Sequence, residues 1–106
     1  MLISAKTVNS TIYIKLRGDL DHYKASDLKN QLNKYADMPK IKRMVLDMKG
    51  MDFMDSAGVG LIMGLYKKLK NKNKQLYFFS PSPQIDKVLR VSGLYSIIPL
   101  IEQEVK

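Results

Sequence analysis

There is no cysteine in this chain, which excludes disulfides and thiolate metal sites. The N-terminal residues lack a long apolar run and a small-residue cleavage site, so no signal peptide is predicted. No stretch approaches the roughly 20 consecutive apolar residues that a membrane span needs. Histidine occurs once, at His22, which leaves a catalytic triad only one candidate base. Acidic residues are few, 10 against 18 lysines and arginines, giving a formal net charge of +8. A soluble, cytoplasmic protein with no membrane attachment is the expectation.

The 106 residues suffice for one domain with a modest core, and a hydrophobic fraction of 45% is that of a folded chain. The positive charge has two readings. It can attract nucleic acid or acidic lipid, or it can be a solvated lysine face. Lys67, Lys68, Lys70, Lys72 and Lys74 cluster around the end of a predicted helix, where cations complement the helix dipole. No arginine cluster or interleaved exposed aromatics accompany them. The solvated face is the simpler account. A basic nucleic-acid-binding α/β module is the alternative, and an acidic protein partner fits the charge equally well.

Hydrophobic periodicity sets the element order. Residues 2–8 and 11–17 read as strands around an Asn9-Ser10 turn, with Ile12, Ile14 and Leu16 alternating against Tyr13, Lys15 and Arg17. Gly18 then breaks the second strand. Asp21 is placed to cap a helix over 22–36, whose apolar face is Ala25, Leu28, Leu32, Tyr35 and Ala36; Pro39 prevents continuation. Residues 44–46 form a buried strand, 57–70 a helix, and 75–79 a strand. Ser82-Pro83 starts a helix that ends at Gly93, and 97–101 makes a short last strand with Pro99 at an edge or end. Strands alternating with helices after an initial hairpin imply a single α/β domain over residues 1–106. Its sheet is mixed, mostly parallel, with an antiparallel N-terminal edge.

The segment from Phe53 to Gly60 carries the chemistry. With Asp55 as the N-cap, Met54 and Val59 occupy the hydrophobic-staple positions, and Ser56 becomes the first helical residue with its hydroxyl exposed. Gly58, Gly60 and Gly64 follow, each costing about 0.8–1 kcal/mol against alanine in a helix interior. Close packing on the sheet or close approach of a partner would offset that cost. The partner is favoured for Gly58, near the exposed end; the two are balanced for Gly64. Met44, Met48 and Met63 read as core, whereas Met51 and Met54 are expected near the docking loop.

Enzyme chemistry fits poorly. A G-x-S-x-G elbow needs glycine where Met54 stands. His22 near the start of the first helix leaves a meeting with Ser56 open, although a lone histidine on a helix surface is usually solvated. Gly58-Val59-Gly60 is a fragment of a nucleotide loop without its lysine. Asp47, Asp52 and Asp55 match no calcium-loop spacing and read as turn and cap residues. Phosphorylation of Ser56 remains beside the plain helix start. A phosphoserine adds a charge of about −1.5 to −2 that helix N–H groups can hold.

Taken together and in order, these motifs closely resemble the sporulation-type anti-sigma factor antagonists of the STAS-domain family. Gly18-Asp19-Leu20-Asp21-His22, Val45-Leu46-Asp47, the Phe53–Gly60 segment, Tyr66-Lys67 and Ser92-Gly93-Leu94 with Ile97-Ile98 carry the likeness. The resemblance implies a partner switch, not an enzyme. The unphosphorylated antagonist binds an anti-sigma factor that is also a serine kinase, and so releases a sigma factor. The kinase modifies the serine that matches Ser56, and a PP2C-type phosphatase restores it. Asp55 would support the phosphosite, while Asp21, Ser56, Ala57, Gly58 and Gly60 would meet the partner. ATP and magnesium belong to the kinase, so no cofactor or metal is implied here and no direct DNA binding is expected. Ala57 stands where the family often has serine or threonine, leaving one hydroxyl at the site. A final helix is also common in the family, for which residues 102–106 leave room for about one turn.

Overall fold

A computed structural model describes residues 2–102. Strands β1 (Leu2–Val8) and β2 (Thr11–Leu20) form an antiparallel hairpin. Its turn holds Asn9 in the left-handed region at φ 57°, which asparagine tolerates better than most residues. Helices and strands then alternate: α1 (His22–Ala36), β3 (Arg43–Met54), α2 (Ser56–Asn71), β4 (Gln75–Phe79) and α3 (Pro83–Val91). A 3-10 turn at Leu94–Ser96 leads to β5 (Leu100–Ile101). From β2 to β5 the strands pair in parallel, and the 5-stranded sheet follows chain order. This is the α/β class with the antiparallel edge that the alternation implied.

Side chains alternate across the sheet, so one face carries Ile12, Ile14, Leu16, Met44, Leu46, Met48, Leu76 and Phe78. These join Leu28 and Leu32 of α1, Ile62, Leu65 and Leu69 of α2, and Ile85 and Leu89 of α3 in one continuous core. Lys15, Tyr13, Val45 and Asp47 belong to the opposite face.

The middle of the chain departs from expectation. Gly18 does not end β2. It sits at φ +101° beside a register shift and lets the strand bulge and continue to Leu20. Strand β3 correspondingly runs eight residues beyond the expected Leu46, to Met54. A Cβ on Gly50 would lie 2.8 Å from Arg17 Cγ and 3.2 Å from the Leu16 carbonyl oxygen, so only glycine allows the strands to close there. Met51 and Met54 are consequently core residues, 1% and 4% exposed, and not part of a docking loop. At the C-terminal end, β5 starts only at Leu100, because the Ile97 and Ile98 amides donate to the Leu94 carbonyl and are withdrawn from the ladder. Of the expected turn over 102–106, residues 103–106 lie outside the described residues.

Most of the lysine cluster is committed to the end of α1. Lys74 Nζ donates to the carbonyls of Ala36 (2.6 Å) and Met38 (2.8 Å). Lys68 and Lys72 pair with Asp37 at 3.1 and 3.4 Å. Replacing Lys74 by alanine strips both carbonyls of a charged donor and should cost about 1.5–3 kcal/mol in urea unfolding.

A second prediction concerns pH. Tyr95 donates to Asp86 at 2.6 Å and Arg90 donates to the same carboxylate at 3.1 Å. Burial, and then the Asp86 carboxylate, push the Tyr95 phenol up from 10.0 to about 12. A raised phenol favours the folded state below its unfolded value. Its contribution should therefore be complete below pH 10 and fade as pH climbs through about 12. NMR titration of the Tyr95 ring should give a midpoint near 12, and Asp86→Asn should lower it part of the way, burial being the larger cause.

Candidate functional site

The extended β2–β3 ladder ends at the pair Leu20↔Met54. The next residue on each strand is an aspartate, and each aspartate starts a helix. Helices α1 and α2 therefore begin side by side at the same end of the sheet. Asp55 N–H donates to the Leu20 carbonyl at 3.2 Å, fixing the two starts together.

Each aspartate caps its own helix. Asp21 Oδ1 accepts from the Tyr23 and Lys24 amides, both at 3.1 Å. Asp55 Oδ1 accepts from the amides of Ala57 (3.0 Å) and Gly58 (3.1 Å). The other Asp55 oxygen, Oδ2, crosses to the neighbouring helix and accepts from the His22 amide at 3.2 Å. One carboxylate thus serves the first turns of two helices. The Ala25 and Val59 amides are satisfied by the carbonyls of Asp21 (3.0 Å) and Asp55 (3.1 Å).

Ser56 is the first residue of α2, exposed, and its hydroxyl makes no hydrogen bond to another described residue. Asp55 does the capping, so the serine hydroxyl has no structural duty. Asp21 takes the Tyr23 and Lys24 amides and Asp55 the Ala57 and Gly58 amides, so these N–H groups already have acceptors.

The structure brings Asp21, Asp55, Ser56 and Ala57 to one end of the sheet, with Gly60 exposed a turn further along α2. Gly58 does not belong to that exposed set. It is buried, and a Cβ there would lie 2.7 Å from Met54 Cγ and 2.9 Å from Leu20 Cγ. Its glycine is required by packing where the two strands end, not by a partner. Cβ atoms on Gly60 and Gly64 would meet nothing within 4 Å.

His22 does reach the site, but through its backbone amide; its ring stacks on Tyr23 with centroids 4.3 Å apart. Asp47 accepts from the Lys49 amide at 3.0 Å within β3, away from the two caps. No group of three or more carboxylate or histidine side chains able to hold a metal ion occurs among the described residues. Sequence reasoning passed over Tyr23, which is 84% exposed beside the caps, and over the 43% exposure of Phe53. Tyr23 was findable: it falls off the apolar face marked by Leu28, Leu32 and Ala36, where a large aromatic has no core to enter.

The STAS domain family model matches residues 3–106. An anti-sigma F factor antagonist of Paenibacillus polymyxa is 31% identical over 94 residues, covering 89% of this chain and 80% of that protein. The solved structure of the anti-sigma factor antagonist SpoIIAA in its unphosphorylated form superposes with a TM-score of 0.82 at 25% identity, covering 97% of this chain and 89% of that one. The phosphorylated form of SpoIIAA, described as a Bacillus cell fate determinant, gives 0.75 at 24% identity, over 97% and 92% of the two chains.

The cap geometry separates three substitutions. Asp55→Ala removes an acceptor from both helices and should cost about 2 kcal/mol or more in chemical denaturation. Ser56→Ala should stay within about 0.5 kcal/mol of the parent, since it removes an exposed, unbonded hydroxyl. Gly58→Ala should cost about 1–3 kcal/mol through overpacking against Met54 and Leu20.

Proposed function

The chain belongs to the STAS-domain family, and on that premise we propose that it is an anti-sigma factor antagonist switched by phosphorylation of Ser56. The observation that carries the reading is the division of labour at the start of α2. Asp55 holds the helix, which leaves an exposed hydroxyl beside it free to be modified without disturbing the fold. The relatives' names point the same way: antagonists of anti-sigma factors, one of them with a solved phosphorylated form.

In the unphosphorylated state the surface around Asp21, Ser56, Ala57 and Gly60, flanked by Tyr23 and Phe53, binds an anti-sigma factor and so frees a sigma factor. Tyr23 is the natural anchor, since exposed aromatics dominate interface energetics once covered. The anti-sigma factor is a serine kinase that supplies the ATP and magnesium, and it phosphorylates Ser56. The added charge of about −1.5 to −2 sits beside the Asp55 carboxylate, which already takes the Ala57 and Gly58 amides. A partner surface pressed against that point loses contact and meets an ion that needs water. A PP2C-type serine phosphatase resets the cycle. The protein acts by binding, in the cytoplasm, with sporulation as the process.

Nucleic-acid binding is the weaker reading. Lys68, Lys72 and Lys74, which gave it most of its basis, are engaged at the end of α1. It would require a steep fall in RNA or DNA affinity with salt and no binding to an anti-sigma factor.

The test is incubation with an anti-sigma serine kinase and ATP, followed by mass spectrometric localisation of the phosphate. Modification should fall on Ser56 and vanish in Ser56→Ala, which should still bind the kinase. Ser56→Asp should keep a native circular dichroism spectrum yet bind at least tenfold more weakly. Phosphate elsewhere, or unchanged affinity of Ser56→Asp, would defeat the reading.

A further inference from the structure

Beyond the site at Ser56, the face that α1 and α2 share is open. A concavity of about 490 Å³ runs between the two helices from Ala57 to Lys68. The 11 rises between these two residues along α2 correspond to about 16 Å at 1.5 Å each. The groove's apolar lining is formed by Ala25 and Leu32 from α1 and by Ala57, Leu61 and Leu65 from α2. On the α2 side Gly60 and Gly64 leave the backbone bare, with no neighbour within 4 Å of where a Cβ would stand. Packing within this chain therefore does not account for either glycine, in contrast to Gly58. The rim is basic. Lys68 pairs with Asp37, whereas Lys29 has no ion-pair or hydrogen-bond partner among the described residues.

We propose that the α1–α2 groove is a second part of the docking surface and receives an acidic helix of the anti-sigma factor. The inference rests on the function proposed above. Bare backbone at Gly60 and Gly64 lets a helix approach more closely than side chains would permit. Lys29 lies where an acidic residue on that helix would meet it, in keeping with the net charge of +8. A second copy of this chain would set lysine against lysine and is disfavoured by the same charge. The groove begins at Ala57, immediately after Ser56, so the phosphate and the acidic helix would compete at one point. That explains how a single dianion dislodges a larger interface: it repels the end of the segment it adjoins.

Calorimetric titration with the purified kinase that phosphorylates Ser56 tests this, in a Ser56→Ala background that prevents turnover. Gly64→Leu fills the groove and Lys29→Glu inverts its rim; each should weaken binding at least tenfold with a native circular dichroism spectrum. The pair Gly60→Ala and Gly64→Ala should raise the melting temperature by about 3–6 °C per site while weakening binding. Parent-like affinity in both Gly64→Leu and Lys29→Glu overturns the groove while leaving the switch intact, provided Ser56→Asp still loses the kinase. Sedimentation showing a dimer of the chain that Gly64→Leu abolishes, with kinase affinity unchanged, makes a second copy the occupant and also overturns it. Failure of the parent chain to bind the kinase removes both the switch and the groove.

Discussion

One carboxylate organises the functional end of this molecule. Asp55 accepts from two amides of its own helix and, with its second oxygen, from the first amide of the helix beside it. A buried or half-buried amide without a partner is costly, and two adjacent helix starts present several at once. Sharing an acceptor settles them, and it fixes α1 and α2 relative to each other at the end where a partner would arrive. The open groove runs between these two helices, and the serine sits at the start of the second.

The division between structural and exposed groups follows. Because aspartates at 21 and 55 cap the two helix starts, the exposed serine hydroxyl has no capping role in the folded chain. A group added there changes the surface without changing the scaffold. That is the physical requirement for a reversible switch in a small protein, whose total stability of about 5–15 kcal/mol leaves little room for refolding on every cycle. The three glycines of α2 divide in the same way. Gly58 faces inward, beneath Met54 and Leu20, while Gly60 and Gly64 face outward.

Much of the architecture was legible in the chain. The hairpin with its Asn9-Ser10 turn, α1 with Asp21 as its cap, β4, and α3 opening on Ser82-Pro83 all follow from local chemistry: period-two alternation, cap residues and a proline at the first helical position. The length of β3 and the continuation of β2 did not follow. Gly18 reads locally as a stop, and its role as a bulge exists only because β3 is alongside to pair with Asp19 and Leu20. Likewise Met51 and Met54 sit among polar residues in the sequence, and only the bulged register turns both toward the core.

What the sequence determined by itself was the site's inventory: a capping aspartate, one hydroxyl after it, small residues along the helix, and an excess of cations. Each of these is a short-range property, set by a residue and its near neighbours along the chain. Tertiary structure decided which groups are free. It took the Gly58 position into the core beneath Leu20, joined the first amide of α1 to the cap of α2, drew three lysines to the end of α1, and left Lys29, Gly60 and Gly64 around an open groove. Those outcomes depend on pairings between residues more than thirty positions apart, such as the amide of His22 with the carboxylate of Asp55. No local pattern encodes such contacts, because they come into being only when the ladder between β2 and β3 brings the two helix starts together.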